Sequence, residues 1–173
     1  MLEALKSAVR TVPDFPKPGI YFKDITPLLA DPLLLRYAVD SMAKAFKDAG
    51  ITKVVGIESR GFILGGMLAD ELNVGFVPIR KKGKLPFTTI RETYDLEYGT
   101  DCIEMHIDAV NESDVVLIHD DVIASGGTAA AAHRLIEFAG AKVVGYCFLI
   151  DLTFLNGRSR LDPEIPYCSL VQY

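Results

Sequence analysis

Two adjacent carboxylates followed by a turn rich in hydroxyls and glycine are the residues with the most chemistry in this chain. The segment Val115-Val-Leu-Ile-His-Asp-Asp-Val-Ile-Ala-Ser-Gly-Gly-Thr128 runs from an apolar stretch through Asp120 and Asp121 into a small-residue turn that opens a helix. Backbone NH groups at a helix N-terminus lack intrahelical acceptors and sit at the positive end of the helix dipole. Ala124, Ser125, Gly126, Gly127 and Thr128 can therefore surround a phosphate monoester, the two hydroxyls adding donors. The paired carboxylates can accept hydrogen bonds from vicinal ribose hydroxyls and help a cationic centre or Mg²⁺ to sit nearby. Taken singly these features are ordinary, since Gly-Gly punctuates turns and Asp caps them. The whole string, strand then acid pair then turn then helix, reads as a phosphate and sugar cradle.

Three other groups deserve the same weighing. Glu58-Ser59-Arg60-Gly61 follows an apolar run and precedes a helical pattern, so its NH groups can form a second anion site, with the Arg60 guanidinium able to bridge phosphate oxygens; alone, Arg60 is a surface ion pair. Arg80, Lys81, Lys82 and Lys84 form a basic cluster, which by itself is a solvated face. Glu97, in the stretch Glu97-Tyr98-Gly99, is by itself a solvated loop residue.

The elements that must hold these groups are those of an α/β domain. Asp31-Pro32 is a capping side chain followed by proline at the first helical position, and Leu33 to Ala49 repeats apolar residues at helical spacing until Gly50. Lys53–Ile57 suits a buried strand, Gly61 to Leu72 a helix and Val74 to Ile79 a strand. Thr100 to Ile107 alternates as a strand with one buried face and a second face open to water. Val115 to Ile118 is a strand core ended by the acid pair, Thr128 to Ala139 a helix stopped by Gly140, Lys142 to Ile150 a buried strand, and Tyr167 to Val171 an edge strand. This alternation predicts a parallel sheet covered by helices. Arg80 to Thr93 has neither period and is expected to be a long mobile loop of the functional kind.

Composition narrows the classes. With 173 residues, 18 Lys plus Arg against 23 Asp plus Glu, and half the chain hydrophobic, the expectation is one mildly acidic globular domain of net charge −5. The acidic balance argues against nucleic acid as the main partner. The longest apolar stretch, Val143 to Ile150, is far short of the ~20 residues of a membrane span, and no signal-peptide pattern opens the chain, so a cytoplasmic location is expected. Cys102, Cys147 and Cys168 are odd in number and scattered, which favours reduced thiols; with three His and no CxxC, a protein-built zinc site is not expected.

The acid-pair string resembles the 5-phosphoribosyl-1-pyrophosphate (PRPP) signature of the type I phosphoribosyltransferases. Phe15-Pro-Lys-Pro-Gly-Ile-Tyr-Phe-Lys-Asp-Ile-Thr-Pro27, Gly56-Ile-Glu-Ser-Arg-Gly-Phe62, Arg80-Lys-Lys-Gly-Lys-Leu-Pro86 and Tyr94-Asp-Leu-Glu-Tyr-Gly99 are similar, in order, to the adenine-specific branch of that family. Lys23, His119 and Ser125 stand where arginine, an aliphatic and threonine are more usual. The resemblance implies a single-domain fold with a central, mainly parallel sheet flanked by helices, a base-binding hood over about residues 1–30, and a mobile lid over 80–99. It also implies Mg²⁺ held mainly by PRPP and water with Asp120 and Asp121 nearby, a homodimer, and a purine salvage reaction that makes AMP and pyrophosphate from adenine and PRPP.

On this resemblance Glu97, Arg60 and Lys84 form the catalytic set, with Glu97 handling the purine proton. Asp120, Asp121 and Ala124 to Thr128 hold the ribose phosphate. Glu58, Ser59, Arg60, Arg80, Lys81, Lys84 and Tyr98 meet pyrophosphate, with a non-proline cis peptide in the Glu58 turn. Tyr21, Phe22, Lys23 and Leu152 form the adenine site, where backbone groups at Tyr21 and Lys23 read the base edge; simple core packing is the other role open to Phe22. A PRPP-binding regulator without catalysis is a rival reading, but such regulators tend to carry a DNA-binding module and this chain has no spare length for one. A dinucleotide oxidoreductase or P-loop kinase lacks its glycine motif here.

Overall fold

The computed structural model describes residues 1–95 and 99–173. A seven-stranded sheet has the order β5-β6-β4-β3-β7-β8-β9. Its strands are β3 (Lys53–Ile57), β4 (Gly75–Lys81), β5 (Thr89–Asp95), β6 (Thr100–His106), β7 (Val115–Ile123), β8 (Lys142–Asp151) and β9 (Tyr167–Gln172). β4, β3, β7, β8 and β9 are joined by parallel pairings, while β6 pairs antiparallel with both β4 and β5. β1 (Arg10–Val12) and β2 (Phe22–Asp24) form a separate antiparallel pair.

Side chains of the central strands alternate between two cores. Val55, Ile57, Val116, Ile118, Tyr146 and Phe148 face α5 (Gly127–Phe138). Val54, Leu117, Cys147 and Leu149 face the layer that contains α1 (Leu2–Ala8), α2 (Thr26–Leu29), α3 (Pro32–Phe46) and α4 (Gly61–Glu71). Burial on both faces is why these strands read as continuous apolar runs. Each fully buried aliphatic or aromatic side chain contributes roughly 1.5–3 kcal/mol. The Asp31 carboxylate accepts from the NH groups of Leu33 and Leu34 at 2.9 and 3.1 Å, the cap expected from Asp-Pro. The strand at Tyr167 lies on the sheet edge beside β8, also as expected.

Two stretches differ from the sequence expectations. Arg80 to Thr93 is not one aperiodic loop: Arg80 and Lys81 complete β4, and Thr89 to Asp95 is a strand paired with β6 from Thr89 opposite His106 to Asp95 opposite Thr100. Backbone pairing across the hairpin supplies the order that side-chain periodicity failed to signal. The outer face of β6 is not wet throughout, because Glu104 is buried and accepts hydrogen bonds from Gly83 N at 2.8 Å and Thr89 Oγ1 at 3.3 Å, pinning the turn; Ile107, expected inside, is exposed.

His119 lies in mid-sheet, fully buried, and neither ring nitrogen has a hydrogen-bond partner among the described residues. It is a core residue held neutral, since burial pushes its pKa down to about 4. In the unfolded chain the ring titrates near 6.5, so the unfolded state binds the proton first. Stability from this site is complete above pH ~6.5 and falls as pH drops toward 4, by about 3 kcal/mol in all. We expect denaturant unfolding at pH 7.5 and 4.5 to show a loss in the parent that is smaller by about 2–3 kcal/mol in His119→Leu. Parallel losses would show that the ring is hydrated or paired.

Candidate active site

β7 carries the acid pair within its ladder and does not end at it: Val122 and Ile123 still pair with Ile150 and Asp151, since backbone pairing is indifferent to the side chains it carries. The chain then turns through Ala124 and Ser125 to Gly126, whose φ of +79° suits glycine, and enters α5. Ala130 N donates to Gly126 O at 3.0 Å, so the NH groups of Gly127, Thr128 and Ala129 precede the first intrahelical bond. A cavity of about 90 Å³ is lined by Ala124 to Ala129, with Asp120 at its edge and Phe148 behind. These are the donors a phosphate monoester needs.

The pair itself is clamped from the neighbouring turn. The Glu58–Ser59 peptide is cis, matching the expectation for this turn. Gly61, at the start of α4, backs onto Asp120 so closely that a Cβ there would lie 2.8 Å from Asp120 Oδ1. Asp121 is buried and forms an ion pair with Arg60 Nε at 2.8 Å. Arg60 also donates from Nη1 to the Lys23 carbonyl at 3.1 Å and lies over the Phe22 ring, 4.6 Å from its centroid. Burial pushes Asp120 well above the usual carboxylate range and the Asp121 charge pushes it further. At Asp121 burial also acts upward, but Arg60 opposes it.

Glu58 gathers the basic residues. Its carboxylate accepts from Lys84 Nζ at 2.6 Å, the Lys81 NH at 3.0 Å and Arg80 Nε at 3.2 Å. Burial works against ionisation there, but these donors outweigh it and hold the pKa down to about 2. Lys81 reaches instead to Asp101 Oδ2 at 3.2 Å.

The largest described cavity at this end of the sheet is lined in part by the segment leading into β2. Ile20, Tyr21, Phe22 and Lys23 line one wall of a cavity of about 480 Å³, Leu152 another, and Glu58, Ser59, Arg60, Asp120, Asp121, Val122 and Ala124 the rest. Phe22 is braced edge-on by Phe15, with ring centroids 5.1 Å apart. The Lys23 amine donates to Thr11 Oγ1 at 2.9 Å and lies over the Tyr173 ring. Leu152 N donates to Ile123 O at 3.0 Å, tying that wall to the end of β7.

The phosphoribosyl transferase domain model matches residues 26–171, most of the chain. The chain belongs to the phosphoribosyltransferase family. It is 55% identical over 170 residues to the adenine phosphoribosyltransferase of Maricaulis maris, covering 98% of this chain and 97% of the relative. The crystal structure of the adenine phosphoribosyltransferase of Rhodothermus marinus superposes with a TM-score of 0.96 at 64% identity, covering 99% of this chain and 98% of that one. The Saccharomyces cerevisiae enzyme, solved with adenine and an imino-altritol bisphosphate, superposes at 0.91 and 42% identity, covering 98% and 97%.

Within this phosphoribosyltransferase the acid pair, the Ala124–Thr128 turn, the Glu58 turn and the Ile20–Lys23 segment line neighbouring cavities that share Asp120, Val122 and Ala124. Arg60 pairs with Asp121 and donates to the Lys23 carbonyl, so it ties the acid pair to β2. Glu58 spends its carboxylate on Arg80 and Lys84. Glu97 and Tyr98 lie outside the described residues. Sequence reasoning passed over Asp101 and Tyr94, which line a further cavity of about 290 Å³ with Glu58, Lys81, Asp120 and Thr128. Asp101 opens an unremarkable strand, and only pairing of β5 with β6 reveals the Tyr94 hydroxyl 3.3 Å from it.

Proposed function

We propose that this chain transfers the 5-phosphoribosyl group of PRPP to adenine, giving AMP and pyrophosphate, a purine salvage step. The observation that carries the reading is one cavity in which Phe22 and Leu152 can sandwich a flat base while Asp120 and Asp121 stand at its ribose end, next to the helix-start cradle. Homology to adenine-specific enzymes supports the same substrate.

The bond from the anomeric carbon to pyrophosphate breaks as positive charge grows on the ribosyl ring. Asp120 and Asp121 act where that charge develops, and proton loss from Asp120 is favoured as a cationic centre approaches. Arg80, Lys81 and Lys84 receive the departing anion, the first and third coming off Glu58 to do so. Glu97 takes or shares the purine proton. Backbone groups at Tyr21 and Lys23 read the base edge, and Ala124 to Thr128 hold the 5′-phosphate.

Among the described residues no group of three or more His, Cys, Asp or Glu could hold a metal by itself. The acid pair suits Mg²⁺, which takes one or two carboxylates together with substrate oxygens and keeps several waters. Bound there, it would neutralise charge on the pyrophosphate. A homodimer is part of the proposal, supported by the exposed basic segment, in which Lys84 is half exposed and Phe87 mostly so, as a face that reaches a second subunit. No described helix is long and apolar enough to cross a membrane. A cytoplasmic location fits the three free cysteines.

The test is a competition. With PRPP, Mg²⁺ and equal adenine, guanine, hypoxanthine, xanthine and uracil, AMP is expected to exceed every other nucleotide by about 10²-fold or more, because an exocyclic amine donates where a 6-oxo group can only accept. Comparable GMP or IMP by chromatography would overturn adenine specificity while leaving the family intact.

A further inference from the structure

The phosphate cradle rests on a second backbone that no motif announces. After Leu152 the chain makes two 3₁₀ turns, Thr153–Leu155 and Gly157–Arg160, joined by Asn156 at φ +51°. Gly157 is buried against the cradle. A Cβ at Gly157 would lie 2.2 Å from the Ala124 carbonyl oxygen and 3.0 Å from Gly126 N; a Cβ at Gly126 would lie 2.2 Å from the Gly157 carbonyl oxygen. The two main chains thus touch, each glycine leaving room for the other. The second strand of this contact is itself fixed, since Ser159 Oγ donates to the Asn156 carbonyl at 2.7 Å and Asn156 N to the Thr153 carbonyl at 3.0 Å.

The Ala124–Ser125 peptide is planar and trans, so its carbonyl and its NH point in opposite directions. With the oxygen seated against Gly157, the Ser125 NH is directed away from Gly157, and the Gly126 N that starts the helix is held in the same contact. We infer that Gly157 is a positioning residue for the 5′-phosphate: its backbone is the floor that sets the Ala124–Gly126 turn and thereby aims the cradle's donors. The inference rests on reading Ala124 to Thr128 as the phosphate cradle. It extends a functional role to a glycine outside every motif the sequence offers. Because the same segment begins at Leu152, on the adenine wall, a change confined to Gly157 should separate phosphate from base recognition.

The experiment measures dissociation constants for AMP and adenosine by calorimetry in the parent, Gly157→Ala, Ser159→Ala and Thr128→Ala, with steady-state kinetics for PRPP and adenine. Overpacking by one methyl in rigid surroundings is costly, so Gly157→Ala is expected to reduce the preference for AMP over adenosine by about ten-fold or more. Adenosine binding should stay within about two-fold, and KM should rise for PRPP but not for adenine. Ser159→Ala, which adds no atom, is expected to move the same ratio a few-fold, and it decides the matter if Gly157→Ala does not fold. A loss of preference in Thr128→Ala, with the ratio retained in Gly157→Ala, overturns the role of Gly157 alone; an unchanged ratio in Ser159→Ala, where Gly157→Ala does not fold, does the same. A parent that binds AMP and adenosine equally overturns the cradle reading and the inference with it.

Discussion

Replacing Asp120 and Asp121 together by asparagine is expected to lower kcat/KM for PRPP by about 10³-fold or more, since removing one preorganised group that meets developing charge typically costs 10²–10³. Both carboxylates line the cavity proposed to take the ribose, and asparagine keeps their shape without their charge. The two are coupled, so the singles will not add to the double. Asp120→Asn should be thermally silent, because burial and the Asp121 charge already favour a neutral group at that position. Asp121→Asn frees Arg60, whose side chain is about one-third exposed and can be rehydrated, so the fold should survive. Turnover and thermal melting together make the check. Near-parental turnover in a double variant with a parental melt would show that the pair only shapes the turn.

Glu97→Ala is expected to lower kcat by about 10²- to 10⁴-fold with little change in PRPP affinity, the usual range for a lost general acid or base. Glu97 follows Asp95 by two residues, and Asp95 is paired with Thr100 at the end of the β5–β6 ladder. The same strand brings Tyr94 to the cavity that Asp120 and Thr128 share. Glu97→Gln separates two roles, as it retains size and most hydrogen bonding but takes no proton. An equal loss in both variants would indicate proton transfer, and a loss in Ala alone would indicate positioning of the base. Pre-steady-state turnover with adenine distinguishes them. Parental rates in both would make Glu97 a solvated residue and send the proton to water.

Local order is legible in the sequence. Asp31-Pro32 announces its helix because the cap and the proline act within one turn of chain, and Val115 to Thr128 announces a strand, a turn and a helix start because the three are contiguous. Arg80 to Thr93 was illegible for the opposite reason. Its order comes from β6, a strand that follows it, and from Glu104, whose burial under the turn contradicts the solvated role its alternating pattern implies.

The available chemistry is written in short stretches of chain: an acid pair, helix-start donors, a basic segment and an aromatic N-terminal segment, each encoded over a few consecutive residues whose types set their hydrogen-bonding and charge. Which of these groups meet is settled by the fold. Arg60 pairs with Asp121 and the Lys23 carbonyl, Glu58 collects Arg80 and Lys84, and Gly157 seats the turn at Gly126. Those partners are far apart along the chain, and cations of the same kind are interchangeable to a local reading. Their choice is made by the parallel order of β4, β3, β7 and β8, which brings the strand ends and their loops to one edge of the sheet, where short-range charge and backbone contact then select among them.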